Sequence, residues 1–135
     1  MRTLINPFAI ILTVSFFLFA GCAKEEGEGG TSSISGKIYV LDYNSSFTYI
    51  HDTYYGQDED VFLIYGDHDY YDDKTSTNYN GTYRFENLRK GLYTIFTYSD
   101  DSTFTEPSEQ TVQMVEVEIT KNNQDIVLDD IIIAK

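Results

Sequence analysis

The chain has 135 residues, with 22 acidic and 9 basic side chains and a formal net charge of −13. Such a surface repels nucleic-acid phosphates and anionic lipid head groups, which argues against nucleic-acid binding and against electrostatic adsorption to membranes. The length suits one small domain with a single core, and the 16% of aromatic residues offer large areas with which to build it.

The N-terminus is typical of an exported protein. Arg2 precedes an apolar run from Phe8 to Ala20, which suits the core of a signal peptide and is too short for a membrane-spanning helix. The next segment, Phe19-Ala20-Gly21-Cys22, resembles a bacterial lipobox. That resemblance implies removal of residues 1–21 and attachment of lipid, such as palmitate, to Cys22, the chain's only cysteine.

Residues 22–33 are predicted to form a lipidated, flexible tether, because glycine, serine and glutamate dominate them and no apolar side chain could order them. The acidic stretch after Cys22 resembles the surface-export signal of lipoproteins from Bacteroidetes-type bacteria. This resemblance implies a lipid-anchored location at the outer membrane, exposed on the cell surface. A solvated acidic linker is the alternative.

The remaining residues, 34–135, show the two-residue alternation of strands. Residues 34–41 are predicted as the first strand and 61–65 as a central strand. The pair Asn80-Gly81 predicts a tight turn before a strand over 82–88, followed by another over 92–98. The apolar pattern then shifts by one residue, which predicts a β-bulge near Met114. Residues 121–124 are predicted as a hairpin turn and 126–133 as the closing strand.

About seven short strands without helical periodicity predict an all-β fold, an antiparallel or mixed Greek-key β-sandwich. Residues 80–95 resemble the signature of carboxypeptidase-regulatory-like, transthyretin-like (prealbumin-like) domains, a group that includes Cna-B-like modules. The resemblance rests on a turn glycine, an aromatic-x-aromatic strand, a leucine and a glycine-x-tyrosine, here Gly81, Tyr83, Phe85, Leu88, Gly91 and Tyr93. In this order Gly81 makes the turn, and Tyr83, Phe85 and Leu88 are predicted to fill the core. The resemblance implies the fold and says almost nothing about function.

The densest acidic cluster offers hard oxygen ligands that could gather Ca²⁺. Its members are Asp67, Asp69, Asp72 and Asp73. A solvated acidic loop is the preferred interpretation, and no metal or cofactor is predicted. His51 and His68 are the only histidines, and without cysteine ligands they do not favour zinc.

The insertion at residues 43–55 interleaves aromatic rings with short polar side chains, as a sugar or peptide platform does. Its candidate ligand-binding residues are Tyr43, Phe47, Tyr49, Tyr54 and Tyr55. The alternative is that these side chains form an extra strand at the edge of the sandwich. The segment Asp101-Ser102-Thr103 matches a three-residue O-glycosylation motif at Ser102.

No serine lies in a Gly-x-Ser-x-Gly elbow, and the carboxylates are too many to single out a catalytic pair. We therefore expect a non-enzymatic cell-surface lipoprotein, attached to the membrane by lipid, that serves as a structural or interaction module for a surface protein or glycan. The alternative is a carbohydrate- or peptide-binding module that uses residues 43–55.

Overall fold

The computed structural model describes residues 24–101 and 110–135, and its elements are all β-strands. The strands are β1 (Glu28–Tyr43), β2 (Ile50–Tyr55), β3 (Asp60–Tyr65), β4 (Asp73–Ser76), β5 (Thr82–Leu88), β6 (Gly91–Asp100), β7 (Gln110–Ile119), β8 (Asp125–Val127) and β9 (Ile131–Ala134). They form two sheets, so the predicted all-β sandwich is confirmed. Over these described ranges no helix is long and apolar enough to cross a membrane.

The first sheet is built around β1, with which every other strand of that sheet pairs. β2 and β5 are antiparallel to it, whereas β8 and β9 are parallel. The predicted closing strand is thus two short strands. Its register explains the break, because Ser35 pairs with Val127 and Ile38 with Ile131, which leaves one extra residue between β8 and β9.

The second sheet has the order β4-β3-β6-β7 and is antiparallel throughout. β3 is internal, as the sequence predicts. The predicted bulge near Met114 is wrong, because β6 and β7 pair without interruption from Gly91↔Ile119 to Asp100↔Gln110. Val112 and Met114 are 43% and 62% exposed, so they belong to the outer face of the sheet. The apolar residues change face along β7 without any shift in the strand register.

The core lies between the sheets and combines aliphatic and aromatic side chains. Its fully buried members include Ile34, Ile38, Val40, Val61, Leu63, Tyr83, Phe85, Leu88, Tyr93, Ile95, Ile119 and Ile133. The predicted inward face of β5 is confirmed, and Gly81 has the positive φ, 78°, that its turn requires. Asn87 has a φ of 59°, which re-aims the chain so that Leu88 returns to the core.

The predicted tether extended to residue 33, but β1 already begins at Glu28. Gly30 passes so close to β5 that a Cβ there would lie 1.9 Å from the Leu88 carbonyl oxygen. Ser32 Oγ donates to the Lys121 carbonyl at 3.0 Å, and Ser33 Oγ donates to Asp125. The small residues of this stretch therefore allow close packing rather than flexibility.

The predicted hairpin turn at residues 121–124 is a turn of a different kind. It connects β7 of the second sheet to β8 of the first, so the strands on either side of it do not pair. Asn123 has a φ of 55°, and its backbone N–H donates to Thr31 Oγ1 at 3.0 Å. The turn is fixed to the start of β1, which closes this end of the sandwich.

Candidate functional site

The insertion at residues 43–55 contributes β2, an added antiparallel strand beside β1. Tyr54 pairs with Val40 and Tyr55 with Tyr39, so these successive tyrosines point to opposite faces of the sheet. Tyr49, Tyr54 and Tyr55 are all exposed. They do not share one surface, so the insertion does not assemble the single platform that its composition suggests.

Three of the insertion's rings are engaged in local contacts. The ring centroids of Tyr43 and Phe47 are 5.4 Å apart. The Tyr55 ring lies edge-on to Tyr39 at 5.3 Å and beneath the Lys37 ammonium at 4.4 Å. The Tyr55 hydroxyl donates to Asp130 Oδ2 at 3.0 Å, and this hydrogen bond raises the pKa of Tyr55. These contacts fasten the added strand to the sandwich.

Of the four acidic residues predicted as calcium ligands, Asp72 and Asp73 accept hydrogen bonds locally, whereas Asp67 and Asp69 are exposed. Asp72 Oδ2 accepts from the Tyr65 backbone N–H at 2.7 Å, and Asp72 Oδ1 lies 2.9 Å from His68 Nδ1. Asp73 Oδ1 accepts from the Lys74 backbone N–H at 2.7 Å. Within residues 24–101 and 110–135, no three His, Cys, Asp or Glu side chains are arranged to hold a metal ion. Cys22 and Ser102 lie outside the described residues.

A contiguous apolar surface covers the outer side of the second sheet, and we call it the aromatic face. Its side chains alternate with the core residues of β3, β6 and β7, and one comes from the loop before β4. They are Phe62, Tyr71, Phe96, Tyr98, Val112 and Met114. An exposed apolar patch of this kind on a small domain is typical of an interaction site.

Phe62 is the centre of the aromatic face. Phe96 stacks on it with ring centroids 4.9 Å apart and planes at 14°, while Tyr71 and Tyr98 meet it edge-on at 5.0 and 5.7 Å. Met114 pairs with Phe96 across β6 and β7. Because three of the four rings stand on hydrogen-bonded neighbouring strands and Phe62 contacts each of the other rings, the surface is held in place before any ligand arrives.

Polar groups border the aromatic face along β3 and β4. Lys74 Nζ lies 2.7 Å from Asp60 Oδ2, and Ser76 Oγ donates to Asp60 Oδ1 at 3.0 Å. The Lys74 ammonium also lies 5.4 Å from the centroid of Phe62. The hydrogen bond from Lys74 lowers the pKa of Asp60, so this carboxylate is an ionised acceptor next to the rings.

A groove of about 320 Å³ continues from Tyr98 toward the C-terminus. It is lined by Asp58, Glu59, Asp60, Thr97, Tyr98, Asp100, Gln110, Ala134 and Lys135. Lys135 Nζ lies 2.5 Å from Glu59 Oε1. The groove therefore sets hydrogen-bonding groups beside the rings, the combination that small-ligand sites use for orientation.

Sequence reasoning missed the aromatic face because it sought a binding site in the insertion at residues 43–55 and not on the strands. Along β6, the side chains of Phe96 and Tyr98 lie on the other face of the sheet from those of Ile95 and Thr97. Along β3, Phe62 likewise lies on the other face from Leu63. In a sandwich of only two sheets, each sheet packs one face against the other sheet, so the second face of a strand that is apolar on both sides remains outside the core. That two-sided pattern is the signal that could have located the site.

No protein family and no curated protein matches the chain. Among solved structures, the chain is similar to a proposed carbohydrate-binding protein from Pseudomonas aeruginosa, with a TM-score of 0.46 and 14% identity. The similarity covers 81% of this chain and 91% of the other. So distant a likeness carries no argument about function.

Proposed function

We propose that the protein is a non-enzymatic binding module, attached to the cell surface by lipid on Cys22, and that the aromatic face is its carbohydrate-binding site. The observation that supports this most strongly is the set of four aromatic rings in mutual contact on the outer side of a rigid sheet. Such a surface takes the apolar face of a sugar ring by stacking.

The exposed rings and their polar border fit the two requirements of a sugar site. Tyr71 and Tyr98 are 52% and 45% exposed, so both can contact a ligand while Phe62 and Phe96 support them from within the face. Asp60, Lys74 and Ser76 supply an acceptor and donors for hydroxyl groups. The net charge of −13 disfavours acidic glycans, so the proposed ligand is a neutral saccharide.

A second candidate is a protein or peptide partner. Val112 and Met114 extend the aromatic face with aliphatic surface, and Met114 is 62% exposed. A flexible methionine adapts to varied apolar side chains and contributes little to a hydroxyl-rich sugar. The aliphatic side of the face therefore distinguishes the two candidates experimentally.

The test is binding to a glycan array by the lipid-free chain from residue 22, with Cys22→Ser. We expect neutral glycans to bind the parent, and binding to fall by tenfold or more in Tyr71→Ala, Tyr98→Ala because stacking on exposed rings contributes about 1–3 kcal/mol per ring. The matched control is Tyr49→Ala, Tyr54→Ala in the insertion, which should keep its affinity.

Melting temperatures of both double variants are measured alongside, so that a loss of fold is not taken for a loss of binding. Retained binding in Tyr71→Ala, Tyr98→Ala would contradict the assignment of the aromatic face. Loss of binding only in the insertion variant would move the site to β2. A chain that binds no glycan but loses a protein partner on Met114→Ser would favour the second candidate.

A further inference from the structure

A groove of about 480 Å³ lies at the end of the sandwich where β1 begins. Three of its lining residues are cationic, and no carboxylate of the described residues lines it. The lining residues are Lys24, Gly29, Gly30, Thr31, Arg89, Lys90 and Asn122, and we call this the basic groove. The chain has more than twice as many acidic as basic side chains, so a lining with three cations differs from the rest of its surface.

Arg89 is the residue of the basic groove whose backbone is held in place by hydrogen bonds. Its backbone N–H donates to the Gly27 carbonyl at 2.8 Å and its own carbonyl accepts from the Tyr93 hydroxyl at 2.8 Å, so the residue is fixed between β5 and β6. Its Nη1 reaches only the backbone carbonyl of Glu25, at 3.5 Å. Among the described residues, Arg89 Nε is buried without a hydrogen-bond partner.

A buried donor without a partner costs about 1–3 kcal/mol, and guanidinium groups bind carboxylates and phosphates through several donors at once. The backbone opposite is close, because a Cβ on Gly29 would lie 3.0 Å from Arg89 Nη2. The groove thus combines a guanidinium whose Nε has no hydrogen-bond partner among the described residues, two ammonium groups and the backbone of Gly29 and Gly30.

The position of the basic groove suggests which anion it meets. Lys24 is two residues from Cys22, a distance of at most about 7 Å along an extended chain. If Cys22 carries lipid, as proposed above, the groove lies at the level of the lipid head groups. We propose that the basic groove binds the phosphate of a membrane lipid head group and so fixes the orientation of the domain on its membrane.

Glu25 and Glu28 adjoin the lining residues Lys24 and Gly29 in the chain, whereas physiological salt weakens the effect of the more distant negative charges. Charges more than about 8 Å away are largely screened at this ionic strength, and the groove itself presents cations. The Glu26 side chain is already engaged, since its Oε1 accepts from the Leu92 backbone N–H at 3.4 Å. A lipid on Cys22 would also hold the groove at a high effective concentration of head groups, so weak intrinsic affinity is sufficient.

The test uses the chain from residue 22 with Cys22→Ser, so that its outcome is independent of lipidation. Dihexanoyl phosphatidylglycerol, below its micelle concentration, is titrated at 150 mM salt while backbone amide resonances are followed. We expect saturable shifts at residues 29–31 and 89–90, a millimolar Kd, and competition by inorganic phosphate.

The variant Lys24→Gln, Lys90→Gln should weaken binding about tenfold, a loss of about 1.4 kcal/mol. The control Lys37→Gln, Lys135→Gln changes the net charge equally on other surfaces and should bind like the parent. Absence of shifts at the groove, or equal weakening in both variants, would overturn the proposal. Membrane release of full-length Cys22→Ser tests the anchor separately.

Discussion

Two buried tyrosines of the core have opposite hydroxyl environments. The Tyr93 hydroxyl accepts from the Gly27 backbone N–H at 3.0 Å and donates to the Arg89 carbonyl at 2.8 Å. The Tyr83 hydroxyl is buried without a hydrogen-bond partner among the described residues. The tyrosine hydroxyl therefore stabilises the fold at position 93, whereas at position 83 it is buried without a hydrogen bond to the described residues.

This contrast predicts opposite effects of one substitution. Tyr83→Phe should raise the free energy of unfolding by about 1 kcal/mol, because it removes an unsatisfied buried group. Tyr93→Phe should lower it by about 1–2 kcal/mol, because it leaves the Gly27 N–H and the Arg89 carbonyl without a partner. Urea unfolding of both variants measures the difference. A less stable Tyr83→Phe would show that its hydroxyl has a partner in solution.

Alkaline pH should destabilise the protein through ionisation of Tyr83. Burial raises the pKa of Tyr83 to about 12, whereas an unfolded tyrosine titrates near pH 10. The folded chain prefers the neutral phenol, so stability is complete below pH 10 and falls as pH rises toward 12. The full loss from this group is about 3 kcal/mol. Unfolding followed between pH 9 and 12 should show a decline that is smaller in Tyr83→Phe.

At the scale of elements, the start of β1 depends on glycine. Gly30→Ala would place a Cβ against the Leu88 carbonyl, so the strand must move away from β5. We expect a loss of about 2 kcal/mol or more and faster hydrogen exchange at residues 28–33. Thr31→Ser is the matched control, because Thr31 is exposed and serine keeps the hydroxyl that accepts from the Asn123 N–H. An unchanged exchange rate in Gly30→Ala would mean that this stretch does not pair with β5 in solution.

The sequence correctly predicts the orientation of strands whose two faces differ in polarity. It does not predict the orientation of strands that carry apolar residues on both faces. The inward set of β5, Tyr83, Phe85 and Leu88, is confirmed because charged residues alternate with it. β7 was misread because Met114 is apolar and yet exposed. The binding site was sought in the insertion at residues 43–55 and not on the aromatic face. Nothing in the local pattern tells an outer apolar residue from a core residue; only the number of layers does.

Small residues were the second source of error. Gly29, Gly30 and Ser32 are equally typical of flexible linkers and of tightly packed backbone. The choice between these depends on what lies opposite, here Leu88 and Lys121, which are about 60 and 90 residues distant along the chain. Composition alone cannot supply that information, so the boundary between tether and domain was placed six residues too late.

At the scale of the whole molecule, the lipid anchor remains a prediction with a direct test. Replacing Cys22 by Ser should move the protein from the membrane fraction to the soluble fraction, because a thiol is required for lipidation and this cysteine is the only one. Metabolic labelling with a palmitate analogue provides a second measurement. Membrane association and labelling that persist in Cys22→Ser would contradict the lipoprotein assignment.

Completion of the first sheet should depend on the final residues. β9 supplies buried Ile131 and Ile133 and pairs with β1 from Ile38 to Leu41. Removing residues 131–135 should expose Ile38 and Val40, each worth about 1.5–3 kcal/mol of burial, and leave no cooperative thermal transition. Calorimetry checks this, with Ile132→Ser as the control because Ile132 is 54% exposed. A cooperative transition in the truncated chain would contradict it.

The parallel pairing of β1 with β8 and β9 also bears on biosynthesis. The strand at the centre of the first sheet is made first, and its two parallel neighbours are made last. A chain under synthesis therefore lacks the strands that complete its first sheet until β8 and β9 have emerged. If the protein is exported, as we propose, this order is useful, because a translocation channel accepts an extended chain and the topology postpones folding until β8 and β9 have joined β1.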